Sequence, residues 1–268
     1  MSVESGRLSD RLALVTGAGS GIGKAVAEGL AGEGAYIVGT GTKSTSVEAI
    51  NESLGEAGHG VLLDLGSEPE EIAGVLKEIV AEDTSRRQAA GSEAGRVISV
   101  LVNNAGAKED GPFGRMEDEA ISRILDVNVR GTMIVTREVV RAARKTEDLR
   151  VITIGSVAAG GHAMQANYAA SKGALRGFMR SLPGEQGRFG APHSATFNLV
   201  EPGLVDTAII ESIPDETMQK AIEQTPARRV GQPEEIARLV TFLALPESGY
   251  INGAVIAIDG GATAGIHI

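Results

Sequence analysis

The stretch Thr16-Gly17-Ala18-Gly19-Ser20-Gly21-Ile22-Gly23 lies between an apolar run, Leu12–Thr16, and a segment with helical spacing, Lys24–Leu30. Glycines at such a junction allow a tight turn and let the backbone approach a pyrophosphate. The N-terminus of the following helix offers free N–H groups and the positive end of its dipole. The stretch therefore predicts a dinucleotide site, although turns and helix caps also collect glycine.

Apolar runs and helical segments alternate along the rest of the chain. Continuous apolar strands between helices are typical of a parallel sheet that is covered on both faces. We therefore predict an α/β fold with a doubly wound, Rossmann-type parallel sheet of about seven strands and helices on both faces. The predicted strands are Leu12–Thr16, Tyr36–Thr40, Val61–Leu63, Val97–Asn103, Val151–Gly155, Thr196–Val200 and Ala254–Ile258. The predicted helices are Lys24–Leu30, Val47–Leu54, Pro69–Ala81, Ile121–Lys145 in two pieces, Ala169–Phe178 and Glu234–Ala244.

The domain organisation is predicted to be simple. Composition does not shift anywhere in residues 1–268, which indicates a single domain. The segment Asp83–Arg96 is polar and lacks periodicity, so we expect a surface loop insertion there. The segment Leu204–Gln224 is expected to form a lid over the substrate. Its apolar residues could line the substrate or equally face the core; they are Ile209, Ile210, Ile213 and Met218.

The composition excludes several classes of site and partner. The 268 residues include no Cys, which excludes disulfides, zinc–thiolate sites and iron–sulfur clusters, and the four His residues are too scattered for a metal site. A net charge of −10 argues against nucleic acid and anionic membranes, which need basic surface. Residues Met1–Asp10 lack the apolar core of a signal peptide, and no apolar run is long enough to span a membrane. We therefore expect a cytoplasmic protein.

The end of the second predicted strand indicates which dinucleotide is bound. NAD-selective sites usually place an Asp or Glu here to bind the ribose 2′-hydroxyl, and this chain has none. Thr40, Thr42 and Lys43 can instead accept a 2′-phosphate. The sequence therefore favours NADP(H), with NAD(H) as the alternative, while Lys43 would also be compatible with a solvated loop charge.

Tyr168-Ala169-Ala170-Ser171-Lys172 places a tyrosine and a lysine four residues apart. On a helix this is about one turn, so both side chains lie on one face. A cation about 4 Å from the phenol stabilises the phenolate by roughly 4 kcal/mol at an effective dielectric near 20, or roughly three pKa units. We therefore expect Lys172 to lower the pKa of Tyr168 towards neutrality, as proton transfer requires. The pair alone would also fit an interfacial Tyr beside an exposed Lys.

Ser156 ends the fifth predicted strand, at the sheet edge where ligands bind in such folds. Its hydroxyl can hydrogen-bond a substrate carbonyl, although a Ser after a strand is more often a cap.

The chain resembles the short-chain dehydrogenase/reductase family in motifs that cover it from about Leu12 to Gly261. The motifs are Thr16–Gly23, Asn103-Asn104-Ala105-Gly106, Ser156, Tyr168-x-x-x-Lys172 and Pro202-Gly203. The resemblance implies hydride transfer between a nicotinamide and a carbonyl carbon. Tyr168 would give the oxygen a proton, Ser156 would hold that oxygen and Lys172 would lower the pKa of Tyr168. Asn128 would hold a water-linked proton relay to Lys172, although alone it would fit a helix-bending polar residue.

The resemblance also implies a set of cofactor-binding residues spread along the sheet edge. These are Gly17, Gly19, Ser20, Gly21, Ile22, Gly23, Thr40, Thr42, Lys43, Asp64, Leu65, Asn104, Ala105, Gly106, Tyr168, Lys172, Pro202, Gly203 and Thr207.

Within the family, the chain is most similar to the 3-oxoacyl-[acyl-carrier-protein] reductases. Gln165-Ala-Asn-Tyr-Ala-Ala-Ser-Lys172 and Thr225-Pro-Ala-Arg-Arg-Val-Gly231 carry this likeness. It implies NADPH, a 3-oxoacyl thioester substrate and a homotetramer. An acyl carrier protein would need a basic patch, which could come from Arg141, Arg144, Lys145, Arg176, Arg180 and Arg188 or be no more than solvated surface charge.

Several departures keep other functions open. Ser20 stands where the subgroup often has an Arg, Glu201 precedes Pro202 where a small residue is common, and Pro183 should end or kink its helix. A diverged dehydrogenase of sugars, alcohols, steroids or quinones, using NAD or NADP, is therefore the alternative. A non-catalytic nucleotide-binding module is less favoured because Tyr168 and Lys172 are both present.

Overall fold

The computed structural model describes residues 6–91, 96–145, 148–186, 191–208 and 215–264. Its described strands form one parallel sheet with the order β3-β2-β1-β4-β5-β6-β7. The strands are β1 Leu12–Val15, β2 Tyr36–Gly41, β3 Gly58–Leu62, β4 Ile98–Asn103, β5 Arg150–Ile154, β6 Thr196–Pro202 and β7 Val255–Ile258. The predicted fold class is confirmed.

Helices cover both faces of this sheet. One apolar layer lies between the sheet and α1, α2 and α8, and includes Leu30 and Val240. The other lies beneath α3, α5 and α6, and includes Ile72, Val139 and Leu175. The helices are α1 Gly21–Gly32, α2 Ser44–Leu54, α3 Pro69–Ala89, α4 Asp118–Leu125, α5 Thr132–Ala142, α6 Ala166–Ser181, α7 Asp215–Gln224 and α8 Pro233–Ala244. Burial on both faces explains why every residue of β1, β4 and β5 is buried, without the alternation of a half-exposed strand.

The strand order reverses between β1 and β4. From β1 the chain continues outward through β2 and β3, whereas β4 pairs with the opposite edge of β1. Val15 at the end of β1 aligns with Val102 near the end of β4. The loops after these two strands therefore leave the sheet side by side, at the crevice where ligands bind in doubly wound sheets.

The expected loop insertion at Asp83–Arg96 is wrong over its first half, because α3 continues to Ala89. Asp83 is buried and accepts hydrogen bonds from Arg86, at 2.5 Å, and from Arg96, at 2.7 Å. Burial raises the pKa of Asp83, but the two arginines outweigh this effect and lower it. The Arg86 guanidinium also stacks 3.2 Å from the Tyr36 ring centroid. Polar side chains thus hold this part of α3 against the sheet, which is why the segment shows no apolar periodicity.

The long helix expected over Ile121–Lys145 is divided, as predicted, into α4 and α5. A π-helical turn, Asp126–Gly131, joins the two helices. Such turns insert one extra residue and are frequent at functional sites. Pro183 stands just after the end of α6 at Ser181, in agreement with the helix stop predicted there.

Two features are absent from the described parts of the chain. None of the helices in the described parts of the chain is long and apolar enough to cross a membrane. Within the same ranges, no cluster of three or more His, Asp or Glu side chains is placed to hold a metal ion.

Candidate active site

The glycine loop after β1 has a backbone conformation and close contacts that a residue with a side chain could not adopt without strain or a clash. Gly17 and Gly21 have φ of +67° and +54°, which glycine adopts without strain. A Cβ at Gly23 would lie 2.2 Å from the Gly17 carbonyl oxygen and 2.4 Å from Asn104 Nδ2. The first turn of α1 therefore begins against the sheet, with its N–H groups directed along the helix axis into the crevice.

Residues directly after β4 form hydrogen bonds with the start of the glycine loop. Asn104 Nδ2 donates to the carbonyl oxygens of Thr16 and Gly17, each at 3.0 Å. Thr16 Oγ1 accepts from the backbone N–H groups of Asn104 and Ala105, also at 3.0 Å. Asn104 and Ala105 thus shape the loop that the sequence assigned to the cofactor, and Asn104 does so through its side chain.

The three residues expected to receive a 2′-phosphate do not have equal access. Thr40 is 1% exposed, and its hydroxyl faces the Gly17 N–H at 3.4 Å. It therefore supports the glycine loop, and its side chain is closed to a ligand. Thr42 and Lys43 are exposed at the carboxyl end of β2, immediately before α2. The first turn of α2 carries no acidic residue, and Ser44, which is not among the predicted cofactor residues, is exposed there.

Of the remaining expected cofactor residues, Asp64 and Leu65 follow β3 and Thr207 follows β6. Asp64 is exposed beyond β3 and accepts a hydrogen bond from the Gly66 N–H, whereas the Leu65 side chain is 2% exposed and belongs to the core. Thr207 lies against Gly21, since a Cβ on Gly21 would be 3.0 Å from Thr207 Cγ2. The segment after Pro202-Gly203 therefore closes over the glycine loop.

Tyr168, Ser156 and Lys172 come together at the carboxyl ends of β5 and β6. The Ser156 side chain lies close enough to the Tyr168 hydroxyl to lower the pKa of Tyr168, and Ser156 Oγ accepts a hydrogen bond from the Ala158 N–H at 3.1 Å. Lys172 is 4% exposed, and its Nζ donates to the Ile154 carbonyl oxygen at 2.8 Å. Nζ lies 5.7 Å from the Tyr168 ring centroid, so the helical spacing places both groups on one face.

The expected lowering of the Tyr168 pKa by Lys172 is not found in the chain without cofactor. Burial raises the pKa of Tyr168, the hydrogen bond with Ser156 lowers it, and the charge of Asp110 raises it, with an upward net shift. Burial lowers the pKa of Lys172 from 10.5 to about 8. The predicted lowering is wrong because burial removes the charged forms of both groups from water, and this cost outweighs the attraction between them.

Asn128 lies in the π-helical turn and is 1% exposed. Its Nδ2 donates to the Ala107 carbonyl oxygen and to Ser171 Oγ, each at 2.9 Å, and its Oδ1 accepts from the Ala107 N–H at 2.7 Å. A Cβ on Gly106 would lie 3.2 Å from Asn128 Oδ1 and 3.6 Å from Lys172 Nζ. Asn128 therefore holds the β4–α4 loop beside the Tyr–Lys pair.

Sequence reasoning missed three polar contacts next to these residues. Gln165 Nε2 donates to Asp110 Oδ2 at 3.0 Å, and Lys108 Nζ lies 2.9 Å from the same oxygen. Arg176, one turn after Lys172, pairs with the buried Glu201 of β6. The one signal in the sequence is the unusual Glu201 before Pro202, but its partner lies 25 residues away.

The predicted lid and basic patch are only partly visible. Residues 209–214, which include Ile209, Ile210 and Ile213, lie outside the described residues, as does Arg188. The part that is seen, α7, buries none of its residues fully, and Met218 is half-buried. Two of the proposed docking arginines already have acidic partners, Arg141 with Glu138 and Arg176 with Glu201.

Comparison with known proteins adds the following similarities. A family model described as enoyl-(acyl carrier protein) reductase matches residues 17–263. The chain is 38% identical over 252 residues to the 3-oxoacyl-[acyl-carrier-protein] reductase FabG of Escherichia coli K12, covering 94% of this chain and 96% of that protein. It is 39% identical over 255 residues to the FabG of Vibrio cholerae, covering 95% and 98%.

Two solved structures of similar fold are described as enzymes that act on a different substrate, gluconate. A proposed NAD(P)-dependent gluconate 5-dehydrogenase from Beutenbergia cavernae, solved with NADP bound at low occupancy, superposes with a TM-score of 0.85 at 32% identity, covering 96% of this chain and 98% of that one. A proposed gluconate dehydrogenase from Agrobacterium tumefaciens gives a TM-score of 0.83 at 28% identity, covering 97% and 98%.

Proposed function

The chain belongs to the short-chain dehydrogenase/reductase family of NAD(P)-dependent oxidoreductases, and on that premise we propose that it is an NADPH-dependent reductase of 3-oxoacyl thioesters. The observation that carries the proposal is the meeting of Tyr168, Ser156 and Lys172 beside the glycine loop. The identity to two FabG proteins over almost the whole chain supports the substrate class.

The crevice fits a dinucleotide phosphate. Gly17, Gly21 and Gly23 leave room that a Cβ would fill, and the first turn of α1 supplies N–H donors to the pyrophosphate. Thr42 and Lys43 are exposed where a 2′-phosphate would lie, and a carboxylate that would repel it is absent from the first turn of α2. Asp64 would face the adenine end and Thr207 the nicotinamide end. When bound, NADPH supplies the hydride that reduces the carbonyl carbon.

The residues of the chain then supply the proton and hold the reacting oxygen. Tyr168 donates its O–H proton to the carbonyl oxygen, and its raised pKa keeps it protonated at neutral pH for this purpose. Ser156 holds the same oxygen through its hydroxyl. Lys172 is held by the Ile154 carbonyl, and its ammonium group stabilises the phenolate left after transfer. Asn128 fixes the β4–α4 loop that passes beside these groups.

A second candidate is oxidation of a sugar acid. The similarity to the two gluconate dehydrogenase structures favours it, since both are covered along their whole length. The two functions share the Tyr168 chemistry and differ in what binds beyond the carbonyl. A polar, carboxylated substrate would need charged partners that an acyl thioester would not.

One experiment separates the candidates. Purified protein is assayed for NADPH oxidation with acetoacetyl-coenzyme A, and for NADP⁺ reduction with gluconate, each also with the non-phosphorylated cofactor. We expect turnover of the thioester with NADPH and little or none of gluconate. Turnover of gluconate alone would transfer the proposal to the second candidate, and preference for NADH would overturn the cofactor assignment.

A homotetramer, a cytoplasmic location and docking of an acyl carrier protein are further parts of the proposal. An open apolar groove between α5 and α6, lined by Met133, Val140 and Phe178, supports a subunit contact. Light scattering on the purified protein tests the assembly. A monomer at micromolar concentration would contradict it.

A further inference from the structure

The loop between β4 and α4, residues 104–117, is held at two points beside the candidate active site. The Ala107 backbone exchanges two hydrogen bonds with Asn128, at 2.7 and 2.9 Å. Further along the loop, the Gly111 N–H donates to the Met164 carbonyl oxygen at 2.7 Å. The backbone of residues 108–110, between these two clamps, is therefore held close to the start of α6, which carries Tyr168.

Asp110 lies between the clamps and faces the start of α6. Its Oδ2 accepts a hydrogen bond from Gln165 Nε2 at 3.0 Å, and Gln165, which is 9% exposed, directly precedes α6. Gln165 stands three residues before Tyr168, which is about one helical turn. The carboxylate is thus held near the phenol by a buried side chain, and its negative charge disfavours the phenolate of Tyr168.

Lys108 balances this charge. Its Nζ lies 2.9 Å from Asp110 Oδ2, and its side chain is 23% exposed. Two opposite charges at this separation act on a third group as a dipole, so Lys108 reduces the effect of the Asp110 charge without removing it, and Asp110 still raises the pKa of Tyr168. Neither residue has a part in the proton transfer and oxygen binding proposed above.

The charged and titratable groups around Tyr168 can be assigned element by element. Ser156 approaches from the β5–α6 loop and Lys172 from α6 itself. On β6, the Glu201 carboxylate is neutralised by Arg176. Two further groups in the surrounding loops are exposed: His162, and Glu109, which pairs with Arg123 on α4.

We propose that Lys108 and Asp110 are positioning residues whose compensated charges set the pH range over which Tyr168 transfers its proton. This role rests on the function proposed above for Tyr168. It predicts that removing either charge moves the titration of Tyr168, in opposite directions. Loss of Asp110 favours the phenolate, whereas loss of Lys108 leaves Asp110 uncompensated and favours the phenol.

The variants for the test are Asp110→Asn, Lys108→Met and the double variant. Asn keeps an oxygen for Gln165, and Met keeps the length of Lys, so each change removes charge with little change of shape. Glu109→Gln is the matched control, because Glu109 lies in the same loop and has its own partner, Arg123. A loosened loop would lower activity at all pH values, whereas a charge effect shifts the midpoint.

The first readout is the alkaline limb of the kcat profile for reduction of acetoacetyl-coenzyme A. Because Lys172 must keep its charge and Tyr168 its proton, activity is lost as the pH rises through the pKa of Lys172, about 8, and then through that of Tyr168, so the upper midpoint reports Tyr168. We expect the midpoint to move down by about half a pH unit in Asp110→Asn and up by a similar amount in Lys108→Met. The double variant and Glu109→Gln should stay close to the wild type.

The second readout does not depend on turnover. The chain has three Tyr and no Trp, so tyrosinate absorbance is easily followed, and subtraction of a Tyr168→Phe titration isolates Tyr168. The same opposite shifts are expected, with circular dichroism showing that the fold persists. Shifts of equal sign, or no shift in either variant, would overturn the charge pair. Opposite shifts in a protein without turnover would instead refute the proposed function and leave the charge pair standing.

Discussion

Arg176 on α6 and Glu201 on β6 form a two-point ion pair. Arg176 Nε lies 2.5 Å from Glu201 Oε1, and Nη2 lies 2.8 Å from Oε2. Glu201 is 3% exposed, and its side chain covers Gly155, where a Cβ would lie 3.0 Å from Glu201 Cγ. Since Ser156 follows Gly155 and Pro202 follows Glu201, the pair joins the two sheet ends that frame the candidate active site.

Removal of Arg176 alone should be strongly destabilising. Arg176→Met would leave a buried carboxylate without its partner, a change that costs about 3–5 kcal/mol when burial is complete. The Arg176 side chain is 38% exposed, so water can reach part of the site and we expect about 2–3 kcal/mol. Urea unfolding measures the loss. The double variant Arg176→Met/Glu201→Met should recover most of it, and a double variant as unstable as the single one would contradict this account.

Lys172 is expected to be necessary for activity but to lower the free energy of unfolding. Lys172→Met should abolish reductase activity, yet raise the free energy of unfolding by about 3 kcal/mol at pH 7, because the pKa of Lys172 is lowered from 10.5 to about 8. Between these values the unfolded chain binds more protons, so wild-type stability rises with pH and the gain from the substitution should shrink. Urea unfolding at pH 7 and pH 10, without cofactor, tests this. The exposed Lys24→Met is the control, and a variant that is less stable at pH 7 would refute the prediction.

Lys43 is expected to select the cofactor. Lys43→Glu places a negative charge at the exposed end of β2, where it would repel a 2′-phosphate, so KM for NADPH should rise by about tenfold or more while KM for NADH changes little. Steady-state kinetics with both cofactors measure this. Lys77→Glu, on the exposed side of α3, makes the same charge change elsewhere and should have no effect. Equal changes for the two cofactors would contradict a phosphate contact.

Two glycines of α1 should respond in opposite ways to alanine. Gly23→Ala brings a methyl group into the Gly17 carbonyl and Asn104, and should weaken cofactor binding by at least tenfold, as measured by fluorescence of NADPH. Gly32→Ala meets no atom within 4 Å, and should stabilise the protein by about 0.5–1 kcal/mol because alanine favours helix. Unimpaired binding in Gly23→Ala would show that the loop does not hold the pyrophosphate.

Local patterns predicted the fold and the meeting of the main site residues. The glycine loop, the apolar strands and the Tyr168–Lys172 spacing each depend on neighbours within one turn or one strand. Contacts between distant segments could not be predicted in this way. Asp83 can lie buried in α3 because Arg96 donates a hydrogen bond to it. The Thr40 hydroxyl accepts a hydrogen bond from the Gly17 N–H and so does not face a ligand. Glu201 can be buried in β6 because Arg176 forms an ion pair with it. The predicted lowering of the Tyr168 pKa was wrong for the same reason, since the burial that raises this pKa depends on the whole fold.

The central claim is that Tyr168 donates the proton, and Tyr168→Phe tests it most directly. The substitution removes one hydroxyl and keeps the ring, so cofactor binding and folding should persist. We expect the kcat for NADPH-dependent reduction of acetoacetyl-coenzyme A to fall by at least about a hundredfold, while the Kd for NADPH stays within about twofold of the wild type, a change of less than about 0.5 kcal/mol. A kcat close to that of the wild type would contradict the account.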